Sequence, residues 1–213
     1  RPVAHRHFLF PVSVPLHEKV TLYLRAEAPY PLVFPMHFYS VTDYLQTDNR
    51  ATWFYGLLCG FMLVMSLYNF FVFTATRDSS YFYYAMFSVC MNFFLLSLQG
   101  FGYEYLWPET IYWQQKSHMM TMLASVLFGS QFVIAFLRLR ETSPSLHVLI
   151  QGVSLVAILL LLVGIFVDDS NLVEASYYLT EVACVLALIS GVVAWGRGRY
   201  EARFFVLAWF VFL

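Results

Sequence analysis

Five apolar runs, each long enough to cross a bilayer, decide what this chain can fold into. They cover residues 53–75, 81–98, 119–137, 148–167 and 172–195. A helix needs about 20 apolar residues to span the hydrocarbon core. Lipid offers no hydrogen-bond partner, so backbone N–H and C=O groups at that depth must pair within the protein, and a helix achieves this within a single segment. Composition agrees. The chain is 60% hydrophobic and 12% charged, against about 25% charged for a soluble domain. Much of its surface therefore faces a lipid bilayer. The net charge of −1 argues against a nucleic-acid partner reached through a basic face.

A sixth apolar run starts near Phe204 and reaches only to Leu213, which reads as a helix cut short. Arg1 opens the chain without a methionine or the basic, apolar and small-residue regions of a signal peptide, and reads as a cut at the other end. Residues 1–45 follow a different rhythm. Val20, Leu22, Leu24 and Ala26 alternate with Thr21, Tyr23, Arg25 and Glu27, the period-two pattern of a half-buried strand. Residues 8–14 and 32–39 read as two further strands, with Pro35 confining the last to an edge or bulge. Three strands are too few for a sheet-on-sheet core of their own. Residues 1–45 are thus expected to be the C-terminal strands of an extracytoplasmic β-sandwich, 46–52 a polar linker, and 53–213 a helical bundle. The expected fold class is mainly α: a polytopic membrane bundle of five complete spans and a truncated sixth, preceded by the end of a β-sandwich.

Charge sets an orientation. Alternate connections hold Arg77, then Arg138 and Arg140, then Arg197, Arg199 and Arg203. The connections between them hold Lys116 in one and Asp168 and Asp169 in the other. Lys and Arg collect on the cytoplasmic side, so the N-terminal segment is expected outside. Trp53, Tyr103, Trp107 and Trp113 suit an outer aromatic belt, and Tyr81, Tyr84, Trp195 and Tyr200 an inner one.

The chain reads WFYGLLCGFMLVMSLYNFFVF, then TRDSSYFYYAMF, then LSLQGFGYEYLWP, and later YEARFFVLAW. In this order and spacing it resembles the bacterial seven-transmembrane receptors with diverse intracellular signalling modules. The resemblance implies a periplasmic β-sandwich of carbohydrate-binding type, seven helices, and a cytoplasmic output domain, commonly a diguanylate cyclase or a histidine kinase. It implies the bacterial inner membrane, a periplasmic N-terminal segment, an unknown small-molecule or carbohydrate ligand, and output through cyclic di-GMP or a two-component system. Most of the periplasmic domain, the seventh helix and the output domain are missing from these residues, so the resemblance implies no catalysis and no cofactor within them. A small-solute transporter is the alternative. Transporters often show internal repeats and broken helices, whereas Pro108 and Pro144 both fall between the runs.

Polar residues at membrane depth are the candidate site residues. Glu181 sits near the middle of the fifth run, where a charge costs about 2.5–3.5 kcal/mol on insertion scales and is expected to face the bundle. It reads either as a ligand contact or switch or as a structural glutamate. Asn69, Asn92 and Gln131, with Gln99 and Gln151, read as hydrogen-bonding glue between helices. His118 stands at the outer mouth of the third run as a candidate ligand or proton site. Arg25 or Arg6, with Tyr23 or Tyr30, could meet a sugar or carboxylate, though a solvated strand face is the plainer reading. His5 and His7 share a strand face, but spacing supplies no further metal ligands, and no metal is expected. Cys59, Cys90 and Cys184 all sit in apolar runs and read as packing residues. The small-residue pairs Gly56/Gly60, Ser125/Gly129 and Ala187/Gly191 read first as packing within the bundle and second as a homodimer seam. No HExxH, GxSxG or GxxxxGK motif is present. The Gly129–Ser130 pair alone does not make an intramembrane protease, which also needs a histidine base at matching depth.

The orientation is testable in cells with a permeabilised outer membrane and in a background lacking the native cysteines. Cysteines placed at Ser79, Ser143 and Gly198 should resist an impermeant thiol reagent. Ready labelling of those sites would overturn the orientation.

Overall fold

A computed structural model of the chain describes residues 5–6, 9–10, 12, 20–21, 23, 36–107, 110–167 and 169–212. Most of the expected strand positions, Arg25 among them, lie outside the described residues. Those that are described lie in no strand.

The helices follow the apolar runs. They are α1 (Val41–Thr76), α2 (Ser79–Leu98), α3 (Ile111–Phe136), α4 (Leu139–Thr142), α5 (Pro144–Phe166), α6 (Ser170–Gly196) and α7 (Ala202–Phe212). Five of them are long and apolar enough to cross a membrane: α1, α2, α3 from Lys116, α5 and α6. A π-helical turn, Gly102–Leu106, follows α2.

Residues 46–52, read from sequence as a polar linker, are helical and continue into the first span. Ser40 caps the helix, its hydroxyl accepting from the Asp43 N–H at 3.1 Å. Asp43 adds a negative charge to the first turn, where the helix dipole favours it. The 36 residues of α1 make a rod about 54 Å long. That exceeds the hydrocarbon thickness of about 30 Å, so its polar first turns extend past the apolar run that starts at Trp53.

Helix α2 starts at a cap supplied by the TRDSSYFYY segment. Asp78 Oδ1 accepts from the Ser80 N–H at 2.9 Å and from the Ser80 hydroxyl at 2.7 Å. Those two bonds, helped by the charge of Arg138, hold the Asp78 carboxyl below the usual carboxylate range. Arg77 and Arg138 end α1 and α3 in the left-handed region, with φ of 57° and 46°. Arg77 closes α1 through its N–H to the Phe73 carbonyl at 2.8 Å.

Helix α3 is the centre of the bundle. It packs against α2, α5 and α6, whereas among the helices α1 packs against α2 alone. The core along α3 includes Leu123, Val126, Val133 and Leu137, joined by Ile150, Val153 and Ala157 of α5 and by Ala187 and Ala194 of α6. Helix α7 packs against α6, and its Phe205 ring meets Phe132 and Phe136 of α3. Buried serines line the interior. Ser66, Ser154 and Ser190 each donate to the carbonyl four residues earlier. That leaves a small, satisfied hydroxyl where helices approach.

The small-residue pairs divide. Gly129 lies under Phe87, and Gly191 under Phe205 and Val206. Gly56 and Gly60 have nothing within 4 Å of an added Cβ, so they do not serve packing inside this bundle as expected. Their helix presents that side away from α2.

A Cβ on Gly191 would stand 2.7 Å from Phe205 Cδ1 and 3.1 Å from Val206 Cγ2. Gly191→Val should therefore destabilise the seat of α7 by about 1–3 kcal/mol, the usual cost of overpacking. Gly60→Ala should be neutral or slightly stabilising. Thermal unfolding of the purified protein reads both, and a loss at Gly60 equal to that at Gly191 would show that Gly60 packs against something outside the bundle.

Candidate functional site

The polar first turns of α1 carry Tyr44, Asp48 and Thr52. A spacing of four keeps them on one side of the helix. Two residues of the N-terminal segment meet that side. Arg6 pairs with the Asp48 carboxylate through Nη2, and its Nη1 donates to Thr52 Oγ1 at 2.9 Å. His5 Nε2 lies 3.2 Å from Asp48 Oδ2, and His5 Nδ1 lies 3.2 Å from the Tyr44 hydroxyl. The Arg6 side chain is only 4% exposed, so its charge depends on these partners. Removing one partner of a buried pair typically costs about 3–5 kcal/mol.

The third wall comes from the connection after α2. The Arg6 guanidinium sits over the Phe101 ring, 4.3 Å from its centroid, a contact worth about 0.5–2 kcal/mol. Phe101 also meets Tyr55 of α1 edge-on. Gly100 makes the approach possible. Its φ is +76°, and an added Cβ would lie 3.1 Å from Arg6 Cβ and 3.2 Å from the Arg6 carbonyl oxygen. Residues 100–107, GFGYEYLW, are thus a docking turn. Its π-helical part closes with the Trp107 N–H on the Gly102 carbonyl at 2.9 Å. The Trp107 indole N–H donates to Gln114 Oε1 at 2.8 Å, which ties the turn to α3. One Glu104 carboxylate oxygen is buried there without a hydrogen-bond partner among the described residues.

This joint holds a Tyr44–His5–Asp48 chain of contacts beside the Arg6–Asp48 pair. Among the described residues, no cluster of three His, Cys, Asp or Glu side chains suits a metal. What it can do is fix the N-terminal segment to α1 and to the α2–α3 connection at the same time. One guanidinium touches both α1 and the turn that follows α2.

Of the candidates read from sequence, Arg6 and His5 lie in this joint and the other described ones fall elsewhere. His118 is half-buried in α3, its Nε2 3.0 Å from the Tyr177 hydroxyl of α6 and its ring 4.8 Å from Phe94 of α2. It joins three helices. Asn92 of α2 donates to the Cys59 carbonyl of α1 at 2.9 Å, leaving its Oδ1 buried and unpaired among the described residues. Gln131 of α3 donates to Ser154 Oγ of α5 at 2.9 Å. Asn69 instead donates within its own helix, to the Met65 carbonyl at 2.8 Å. Lys116 is buried, its Nζ donating at 2.8 Å to the Ile165 carbonyl at the end of α5, where the helix dipole favours a cation.

Glu181 departs furthest from expectation. It lies on the exposed side of α6, not in the bundle interior, and makes no hydrogen bond or ion pair among the described residues. The cause is helical phase. Ser176, Ala187, Ser190, Gly191 and Ala194 form the buried side of α6, and at about 100° per residue Glu181 falls nearly opposite them. Glu174 and Tyr178 share its exposed side.

At the other end of the bundle the three arginine-bearing connections meet. Arg199 Nη2 lies 3.2 Å from Glu141 Oε2, and Arg138 acts electrostatically on Asp78. Their convergence agrees with the alternation of charge along the sequence.

Comparison with known families bears on the whole chain. The family described as 7TM diverse intracellular signalling matches residues 51–213, and the one described as 7TMR-DISM extracellular 2 matches residues 1–40. No curated protein and no solved structure matches the chain. The first match covers α2, α3, α5 and α6 whole and α1 from residue 51, and the second ends one residue before α1 begins. The chain belongs to the seven-transmembrane receptors with diverse intracellular signalling, and it is a membrane sensory domain of that family.

Proposed function

We propose that the chain receives an extracytoplasmic signal and passes it through the Arg6–Asp48 joint into the helical bundle, for conversion by a cytoplasmic output domain. The observation that carries this reading is the buried Arg6 guanidinium. It binds Asp48 and Thr52 of α1 and covers Phe101 after α2. Residues 1–40 match an extracellular family and residues 51–213 a membrane one, so the joint links the two parts.

The physical requirement for such a receptor is two packings of the bundle that the ligand distinguishes in free energy. A ligand on the outer domain alters the position of residues 5–6, and the joint delivers that alteration to α1 and α2. The arginine-bearing end then faces the cytoplasm, in the bacterial inner membrane, with the N-terminal segment periplasmic. The output is of diguanylate cyclase or histidine kinase type, as the family resemblance implies. The ligand is a small molecule or carbohydrate. These helices and their short connections carry motion rather than catalysis.

The test uses the full-length receptor and its basal output, read as cyclic dinucleotide formation or autophosphorylation. Arg6→Gln and Asp48→Asn should each shift that output by about fivefold, the population change that about 1 kcal/mol of bias produces. The charge-exchanged pair Arg6→Asp with Asp48→Arg should move it back toward the wild-type level. Wild-type output in both single variants, in protein that inserts normally, would remove the joint from the signalling path.

A further inference from the structure

A cavity of about 440 Å³ opens at the arginine-bearing end, between α1, α2, α3 and the α6–α7 connection. Its charged lining is balanced: Arg138 and Arg199 against Asp78 and Glu201. The distribution with depth is uneven. These four residues lie at or beyond the ends of the helices, while Phe132 of α3 and Met65 of α1 line the deeper part. Phe132 is six residues before Arg138, about 9 Å further along the helix. Tyr68 and Tyr81 also line the cavity, and tyrosine suits the boundary between apolar and wet regions.

The charges remain open to a ligand. The Arg138 side chain makes no hydrogen bond or ion pair among the described residues and is exposed. Arg199 gives Nη2 to Glu141, and a guanidinium has five N–H donors. Asp78 is held ionised by its bonds from Ser80, and both of those bonds fall on Oδ1, leaving Oδ2 open. Glu201 is exposed and makes no ion pair among the described residues.

A ligand with only negative charge would meet the carboxylates of Asp78 and Glu201. One with only positive charge would meet two guanidiniums. A water-soluble solute would leave the aromatic floor without an apolar partner. We propose that this cavity binds the headgroup of a zwitterionic phospholipid, with its phosphate on Arg138 and Arg199, its amine toward Glu201 and Asp78, and its chain along Phe132. Guanidinium–phosphate pairing supplies the directional contact, and the membrane boundary supplies the ligand. A primary ammonium would donate to the carboxylates, whereas a quaternary one would lie against the tyrosine rings. The proposal requires only that the chain spans a bilayer and is independent of the sensory reading.

The experiment is native mass spectrometry of the full-length protein after exchange into equimolar phosphatidylethanolamine, phosphatidylcholine and phosphatidylglycerol, with thermal unfolding to confirm that each variant is folded. A zwitterionic lipid should be retained above phosphatidylglycerol, and which of the two is retained identifies the amine. Arg138→Gln should lower that retention by about fivefold, the worth of one basic group near a membrane surface. Arg140→Gln, outside the cavity, should leave it unchanged. Glu201→Arg, on an exposed side chain, should turn the preference toward phosphatidylglycerol. Retention of phosphatidylglycerol at or above the zwitterionic lipids in the wild-type protein would overturn the assignment, as would equal losses in the Arg138 and Arg140 variants. Protection of a cysteine at Tyr68 with no retained lipid would assign the cavity to another helix instead.

Discussion

The hydrocarbon core of a bilayer cannot donate or accept a hydrogen bond, and the rest of this molecule depends on that constraint. Backbone groups at membrane depth pair inside helices. Hydrophobicity cannot hold the helices together, because lipid is as apolar as leucine. The bundle is therefore held by close contact and by a few polar bonds placed between helices. Gly129 under Phe87 and Gly191 under Phe205 and Val206 provide the close contact. Asn92 on the Cys59 carbonyl, Gln131 on Ser154 and His118 on Tyr177 provide the bonds. The same constraint keeps the fully ionic contacts at the ends, where Arg6 meets Asp48 and Arg199 meets Glu141.

Sequence showed the spans clearly because length and apolarity are one-dimensional properties. It showed the alternation of arginine for the same reason. The facing of each helix is a different matter, since the amphipathic period is weak when both sides are apolar. Glu181 illustrates this. Its depth was legible, but its direction depended on which side of α6 held Ser176, Ala187 and Ala194. Gly56 and Gly60 illustrate it again: their spacing permits close packing, and no helix of this bundle uses it.

The outer joint was legible only in part. A polar stretch before an apolar run looks like a linker, yet Ser40 with Asp43 forms a helix cap, and Tyr44, Asp48 and Thr52 repeat at the helical spacing of four. Those signals could have extended α1 outward. Arg6 could not have been paired with Asp48 from sequence, because the contact spans 42 residues and depends on the left-handed turn at Gly100. The partners of Asn69 and Lys116 were missed for a local reason. Each found a backbone carbonyl, one in its own helix and one at the end of α5, and carbonyl partners leave no mark in a sequence.

The attachment of α1 has a mechanical consequence. Among the described residues, its side-chain hydrogen bonds with α2 are Asn92 on the Cys59 carbonyl and Ser88 on the Met62 carbonyl. Cys59 lies 18 residues from Val41 and 17 from Thr76, so the arms on either side are about 27 and 26 Å long. Arg6 holds the outer stretch, while Phe73 against the Phe82 ring and Met65, Tyr68 and Asn69 in the cavity wall hold the inner one. One unbroken helix is thus pinned at both of its ends, like a tie rod between the two membrane surfaces.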